Sequence, residues 1–78
     1  MKTSEVNESL VGRRCDGIAF GIMVTGTITA VEVNDFSAVV FFNYDRPVNW
    51  GGYDYTKGDN WARTHDEFGS LCHMRLID

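Results

Sequence analysis

From Leu10 onward apolar and polar residues alternate with a period nearer two than 3.6, the spacing of strands rather than helices. The clearest stretch is Ile22–Val33, Ile-Met-Val-Thr-Gly-Thr-Ile-Thr-Ala-Val-Glu-Val. Its β-branched side chains lose rotamer freedom in a helix but fit a pleated surface. Val24, Ile28 and Ala30 fall on one face and Thr25, Thr27 and Thr29 on the other, so the spacing predicts a long strand with one buried face. Gly26 interrupts the apolar series, and a bulge or sharp bend is expected there. After Ala30 the alternation fails, because Val31 and Val33 place apolar groups on the threonine side. That end of the strand is expected to be covered on both faces.

Asn34-Asp35 follows this strand and tolerates positive φ, which predicts a hairpin turn into Phe36–Tyr44. Phe36, Ala38, Val40, Phe42 and Tyr44 share a face; Val39 and Phe41 lie on the opposite one. A strand apolar on both faces is either central to a closed structure or pressed against a partner chain. Asp45 to Asn60 holds the one proline, Pro47, with Gly51, Gly52 and Gly58, and reads as a long loop. A fourth strand is expected at Trp61–Thr64, a turn at His65–Gly69, and a closing strand within Ser70–Ile77. At the other end Leu10–Cys15 reads as a short opening strand, with a loop at Asp16-Gly17 and Gly21. Residues 1–9 are polar and without an apolar period, and are expected to be a flexible tail, frayed or with one loose helical turn. The predicted fold is mainly β: a small antiparallel barrel or rolled sheet of about five strands, forming a single domain over residues 10–78.

Length sharpens this picture. A chain of 78 residues buries only about 60% of its unfolded surface, so its core is thin and a deep active site is not expected. An apolar content of 44% nevertheless excludes a disordered segment, which could not offset the entropy of ordering. The net charge of −4, with basic residues scattered apart from Arg13-Arg14, lacks the clustered basic face on which phosphate-backbone binding depends. Nonspecific nucleic-acid binding is therefore not expected. No apolar run approaches the roughly 20 residues of a membrane span. The first ten residues contain no apolar signal core, so a cytoplasmic location with Cys15 and Cys72 as free thiols is expected.

Leu10–Cys15 as an opening strand, Gly26–Val31 as a bent second strand, Ala38–Phe42 as a third and Leu71–Ile77 as a closing strand resemble the SH3-like small barrels. In size and style the chain also resembles small-barrel accessory proteins of phages, plasmids and integron cassettes. The resemblance implies a barrel fold and an accessory, noncatalytic role. Type II dihydrofolate reductases are similar in length, but the Val-Gln-Ile-Tyr motif of their pore is absent, so their activity is not carried over.

The chemistry-bearing residues are few. Cys15, His65, Cys72 and His73 are the possible soft-metal ligands, yet adjacent Cys72 and His73 on a strand point to opposite faces and their spacing does not suit a tetrahedral site. No metal and no cofactor is expected. Pairing Cys15 or Ser70 with His65 or His73 as nucleophile and base is what any chain of this composition permits, and no phosphate-binding glycine motif is present, so no catalytic residue is assigned. The distinctive feature is aromatic: Tyr44, Trp50, Tyr53, Tyr55 and Trp61 fall within eighteen residues, interleaved with Arg46 and Asp54. Trp, Tyr and Arg dominate binding hot spots, and together these seven residues form the candidate binding set. The alternative is that one or two of the rings fold back to plug a thin core. The expected function is noncatalytic interaction with another protein or with a second copy of the chain as a homodimer or higher oligomer. The alternative is a homo-oligomeric small-ligand-binding protein or enzyme with its pocket between subunits.

Overall fold

A computed structural model describes residues 5–63 and 74–78, with side chains for all of these but 60–63. The described chain is mainly β. Five strands, β1 (Arg14–Ala19), β2 (Ile22–Val33), β3 (Ser37–Trp50), β4 (Tyr53–Arg63) and β5 (Arg75–Leu76), form one unclosed antiparallel sheet in the order β4-β3-β2-β1-β5. The first four make a meander, and the fifth lies beside the first. Two of the connections are two-residue turns with positive φ at both central positions: Phe20-Gly21 at 52° and 80°, and Gly51-Gly52 at 61° and 85°. Such turns match the right-handed twist of the strands they join. The third is built by Asn34, whose Oδ1 accepts from the backbone N–H of Phe36 and Ser37.

β2 begins and ends at the residues the pattern predicts, but the elements around it differ from expectation. The opening strand is Arg14–Ala19 rather than Leu10–Cys15, and it runs through Asp16-Gly17, where a loop was expected. Gly17 is buried there and pairs with Val24 of β2. The predicted long loop at Asp45–Asn60 is instead the upper half of a β3–β4 hairpin. Pro47 is accommodated because the β3–β4 register shifts between Asn43 and Val48, which takes the chain out of the ladder where proline's missing N–H would be felt. The expected fourth strand at Trp61–Thr64 is the far end of β4 as far as Arg63. His65–Gly69 and Ser70–His73 lie outside the described residues.

The bulge of β2 sits between Ile28 and Ala30, not at Gly26. It explains the broken alternation: the extra residue flips the faces, leaving Ala30 exposed and turning Val31 toward the core. Gly26 meets a different need, the close approach of β3. On β3 the alternation holds, with Ala38, Val40 and Phe42 buried and Val39 and Phe41 half-buried on the opposite face. Phe36, expected on the core face, belongs to the Asn34 turn and is 75% exposed.

The core collects Cys15 and Ala19 from β1, Val24 and Ile28 from β2, Ala38, Val40, Phe42 and Val48 from β3, and Met74 from just before β5. Val6 and Leu10 join it from the segment before β1, where a 3₁₀ turn at Glu8–Leu10 is capped by the Asn7 side chain on the Ser9 N–H. Val6 is only 6% exposed, so the segment expected to be a loose tail carries an anchor into the core from residue 6. At the other end Asp78 holds β5's extension to β1, its carboxylate accepting from Arg13 Nε at 2.8 Å and from the Arg14 backbone N–H at 3.1 Å.

Candidate binding surface at two hairpin tips

The β2–β3 ladder ends at Gly26 and Tyr44. Beyond this pair the sheet divides into two hairpins, β1–β2 ending at Phe20-Gly21 and β3–β4 ending at Gly51-Gly52. Arg14 braces the division point: its guanidinium grips Asp45 with Nη1–Oδ1 at 2.6 Å and Nη2–Oδ2 at 2.5 Å, and donates to Thr27 Oγ1. Between the hairpins lies an open slot of about 470 Å³, lined by Ile22–Thr25 of β2 and Asp45–Asn49 of β3.

The hairpins meet again at their tips through aromatic rings. Phe20 stacks on Trp50 with centroids 5.4 Å apart and planes 11° from parallel, and meets Tyr55 at 4.9 Å and 45°. These are the offset and tilted arrangements that ring quadrupoles favour. All three remain open to solvent, Phe20 at 42%, Trp50 at 56% and Tyr55 at 39%, and Tyr53 beside them is 71% exposed. Trp50 and Tyr53 are cross-strand partners flanking the glycine turn, while Asn49 Nδ2 donates to Asp54 Oδ1 at 3.1 Å in the adjacent pair. The Phe20–Trp50 stack leaves no gap for a cation between the two rings.

Of the seven candidate residues, Trp50, Tyr53, Asp54 and Tyr55 are brought together on this hairpin, and the first, second and fourth are exposed rings rather than core plugs. Arg46 lies in the slot and is exposed. Tyr44 is separate: it packs against the core, edge-on to Phe42 at 5.4 Å, and burial followed by the nearby charge of Asp59 raises its phenol pKa. Trp61 belongs to β4 at the opposite end of that strand, opposite Val39.

Phe20 is the member that sequence reasoning missed. It is the one described residue other than glycine with positive φ, a region that strains a bulky side chain and that turns normally fill with Gly, Asn or Asp. The signal was present in the Phe20-Gly21 pair between Ala19 and Ile22, an aromatic at a two-residue turn position.

Elsewhere the described residues offer little chemistry. Cys15 is buried, and desolvation, followed by the charge of Asp16, pushes its thiol up to about 11, so it is protonated at neutral pH and unsuited to nucleophilic attack. Cys72, His65 and His73 lie outside the described residues. Among those described, no group of three or more His, Cys, Asp or Glu is placed to hold a metal, and no helix is long and apolar enough to cross a membrane.

A family model matches residues 1–76. The chain belongs to DUF7258, a domain of unknown function. No curated protein and no solved structure matches it. The match runs from the segment before β1 through β5, so the DUF7258 domain takes in the Val6 anchor and both hairpins together.

The carboxylates that hold this frame make its stability depend on acid. Asp78 lies below the ordinary carboxylate range because of its hydrogen bonds from Arg13 and the Arg14 backbone, and Asp45 because of the Arg14 guanidinium. A folded-state pKa depressed below the unfolded value of about 3.9 contributes stability above that value and loses it as pH falls through the folded pKa. Thermal midpoints of the wild-type chain and Asp78→Asn should therefore differ at pH 7 and converge below about pH 4. A gap that stays constant across that range would show that the ionised carboxylate contributes nothing.

Proposed function

We propose that the chain is a noncatalytic interaction module that engages another protein, or a second copy of itself, through the aromatic cluster at its two hairpin tips. The observation that carries the reading is the convergence of Phe20, Trp50, Tyr53 and Tyr55, all solvent-exposed, at the free end of the sheet. A chain that places a phenylalanine at positive φ accepts local strain, and the stack on Trp50 is what that strain positions. Rigid rings with few rotatable bonds lose little entropy on docking, which suits them to be anchors in a partner's pocket. The module is taken to work in the cytoplasm, as an accessory protein of a phage or other mobile element. The pairing of β5 with β1 after a four-strand meander is in keeping with the SH3-like resemblance.

The test separates binding from folding. Trp50→Ala should weaken association with the partner by about 2 kcal/mol, as hot-spot truncations do, while moving the thermal midpoint little. Phe20→Asn keeps a residue that tolerates positive φ, so it should preserve the turn and lose the same binding. If either substitution unfolds the domain instead, costing the roughly 3–5 kcal/mol of a buried aromatic deletion, the rings are structural and the reading fails.

One observation favours a second reading, small-ligand binding: the slot between the hairpins is of a size that takes small molecules. Under that reading Arg46→Ala and Met23→Trp, both at exposed residues lining the slot, would abolish ligand binding while Trp50→Ala would leave it intact.

A further inference from the structure

Among the described residues the sheet ends on one side at β4, an eleven-residue strand whose one partner there is β3, on one of its two edges. The direction of its free groups follows from the ladder. Ile28 donates to the Arg13 carbonyl and accepts from Gly12, so Ile28 faces β1 and its neighbour Thr27 faces β3. Thr27 pairs with Asn43; Phe42 therefore faces β4 and bonds Gly58. Gly58 is thus turned inward, and the backbone N–H and C=O of Lys57 and Asp59 point away from the sheet. A long strand with an open row of such groups is a template for another strand.

We propose that β4 pairs antiparallel with β4 of a second copy, on a two-fold axis at Gly58. The charges along the strand select this register. With Gly58 opposite Gly58, Lys57 of each chain stands opposite Asp59 of the other, giving two direct cross-strand ion pairs. A two-residue slip one way puts Lys57 opposite Lys57, and the other way Asp59 opposite Asp59, both repulsive. Lys57 and Asp59 are exposed, and among the described residues neither makes an ion pair or a hydrogen bond through its side chain. Gly58 also suits the axis: a pair that does not exchange hydrogen bonds brings its Cα atoms to about 4.5 Å, the closest approach in an antiparallel ladder, and glycine presents no side chains to crowd there. The dimer joins two sheets edge to edge and carries its hairpin tips at opposite ends, so it stands independently of what those tips bind.

The experiment is sedimentation equilibrium on the full chain and two charge variants. Wild type should dimerise at micromolar concentration. Lys57→Asp faces Asp with Asp twice, and Asp59→Lys faces Lys with Lys twice; each variant alone should dimerise at least about tenfold more weakly with an unchanged circular dichroism spectrum. Mixing the two variants restores both opposite-charge pairs, so a one-to-one heterodimer with wild-type affinity should form. A wild-type chain that stays monomeric, single variants that dimerise as well as wild type, or a mixture that stays dissociated would each overturn the proposal. Trp50→Ala should leave this dimer intact, so loss of partner binding at the tips and loss of the β4 dimer are read separately.

Discussion

Replacing Phe42 with alanine should leave the chain largely unfolded at 25 °C. Among the described residues Phe42 is the largest fully buried side chain, and it sits on the central part of β3. Its ring covers Gly26 on one side and meets Tyr44 edge-on on the other, so its removal opens a cavity that backbone on β2 and β3 cannot collapse to fill. Deleting a buried phenylalanine costs about 3–5 kcal/mol, and a domain of this size holds about 3–5 kcal/mol in all. Chemical denaturation should return no folded baseline for Phe42→Ala, whereas Met23→Ala, at an exposed position on β2, should shift the midpoint little. If Phe42→Ala retained most of the wild-type stability, the core would have to lie elsewhere than between β2 and β3.

Strands whose side chains alternate were legible because burial imposes a period of two on the sequence, and nothing else in the chain mimics it. β2 and the core face of β3 at Ala38, Val40 and Phe42 follow from that period alone. The upper hairpin was not legible for the opposite reason. Asp45–Tyr55 has little to bury, since only Val48 reaches the core, so its strand conformation comes from the Gly51-Gly52 turn and cross-strand pairing rather than from an apolar face. Glycine and proline there read as loop residues when they are in fact turn and bulge residues, and composition does not tell these apart. Val6 was hidden in the same way, as a lone apolar residue in a polar segment with no periodic neighbours to mark it.

The candidate surface was half legible. Trp50, Tyr53 and Tyr55 stood out as rings concentrated in a short stretch, and the structure places them on one hairpin in the open. Their assembly with Phe20 depends on where the sheet divides after Gly26 and Tyr44, a property of the β2–β3 register that local sequence does not carry. Trp61 lies only six positions after Tyr55 in the sequence, yet in an extended strand six steps carry the chain about 20 Å along the sheet.

The point of division also sets the other large effect. Gly26 lies in the centre of β2, paired with Cys15 on one side and Tyr44 on the other, and a Cβ built on it would overlap the Asn43 carbonyl oxygen and press on the Phe42 ring. The obstacle is backbone, which no rotamer change relieves. Gly26→Val should therefore destabilise the domain by about 3 kcal/mol, at the upper end of what overpacking costs, by forcing β3 away from β2 and disturbing the Phe42 ring with it. Gly58 provides the comparison. A Cβ there meets the Tyr44 hydroxyl, the far end of a side chain that can swing aside, so Gly58→Ala should cost less than Gly26→Ala when both are unfolded in urea. Equal costs at the two positions would mean that Asn43 yields as readily as a tyrosine ring, and that β3 is not held close to β2 where the hairpins part.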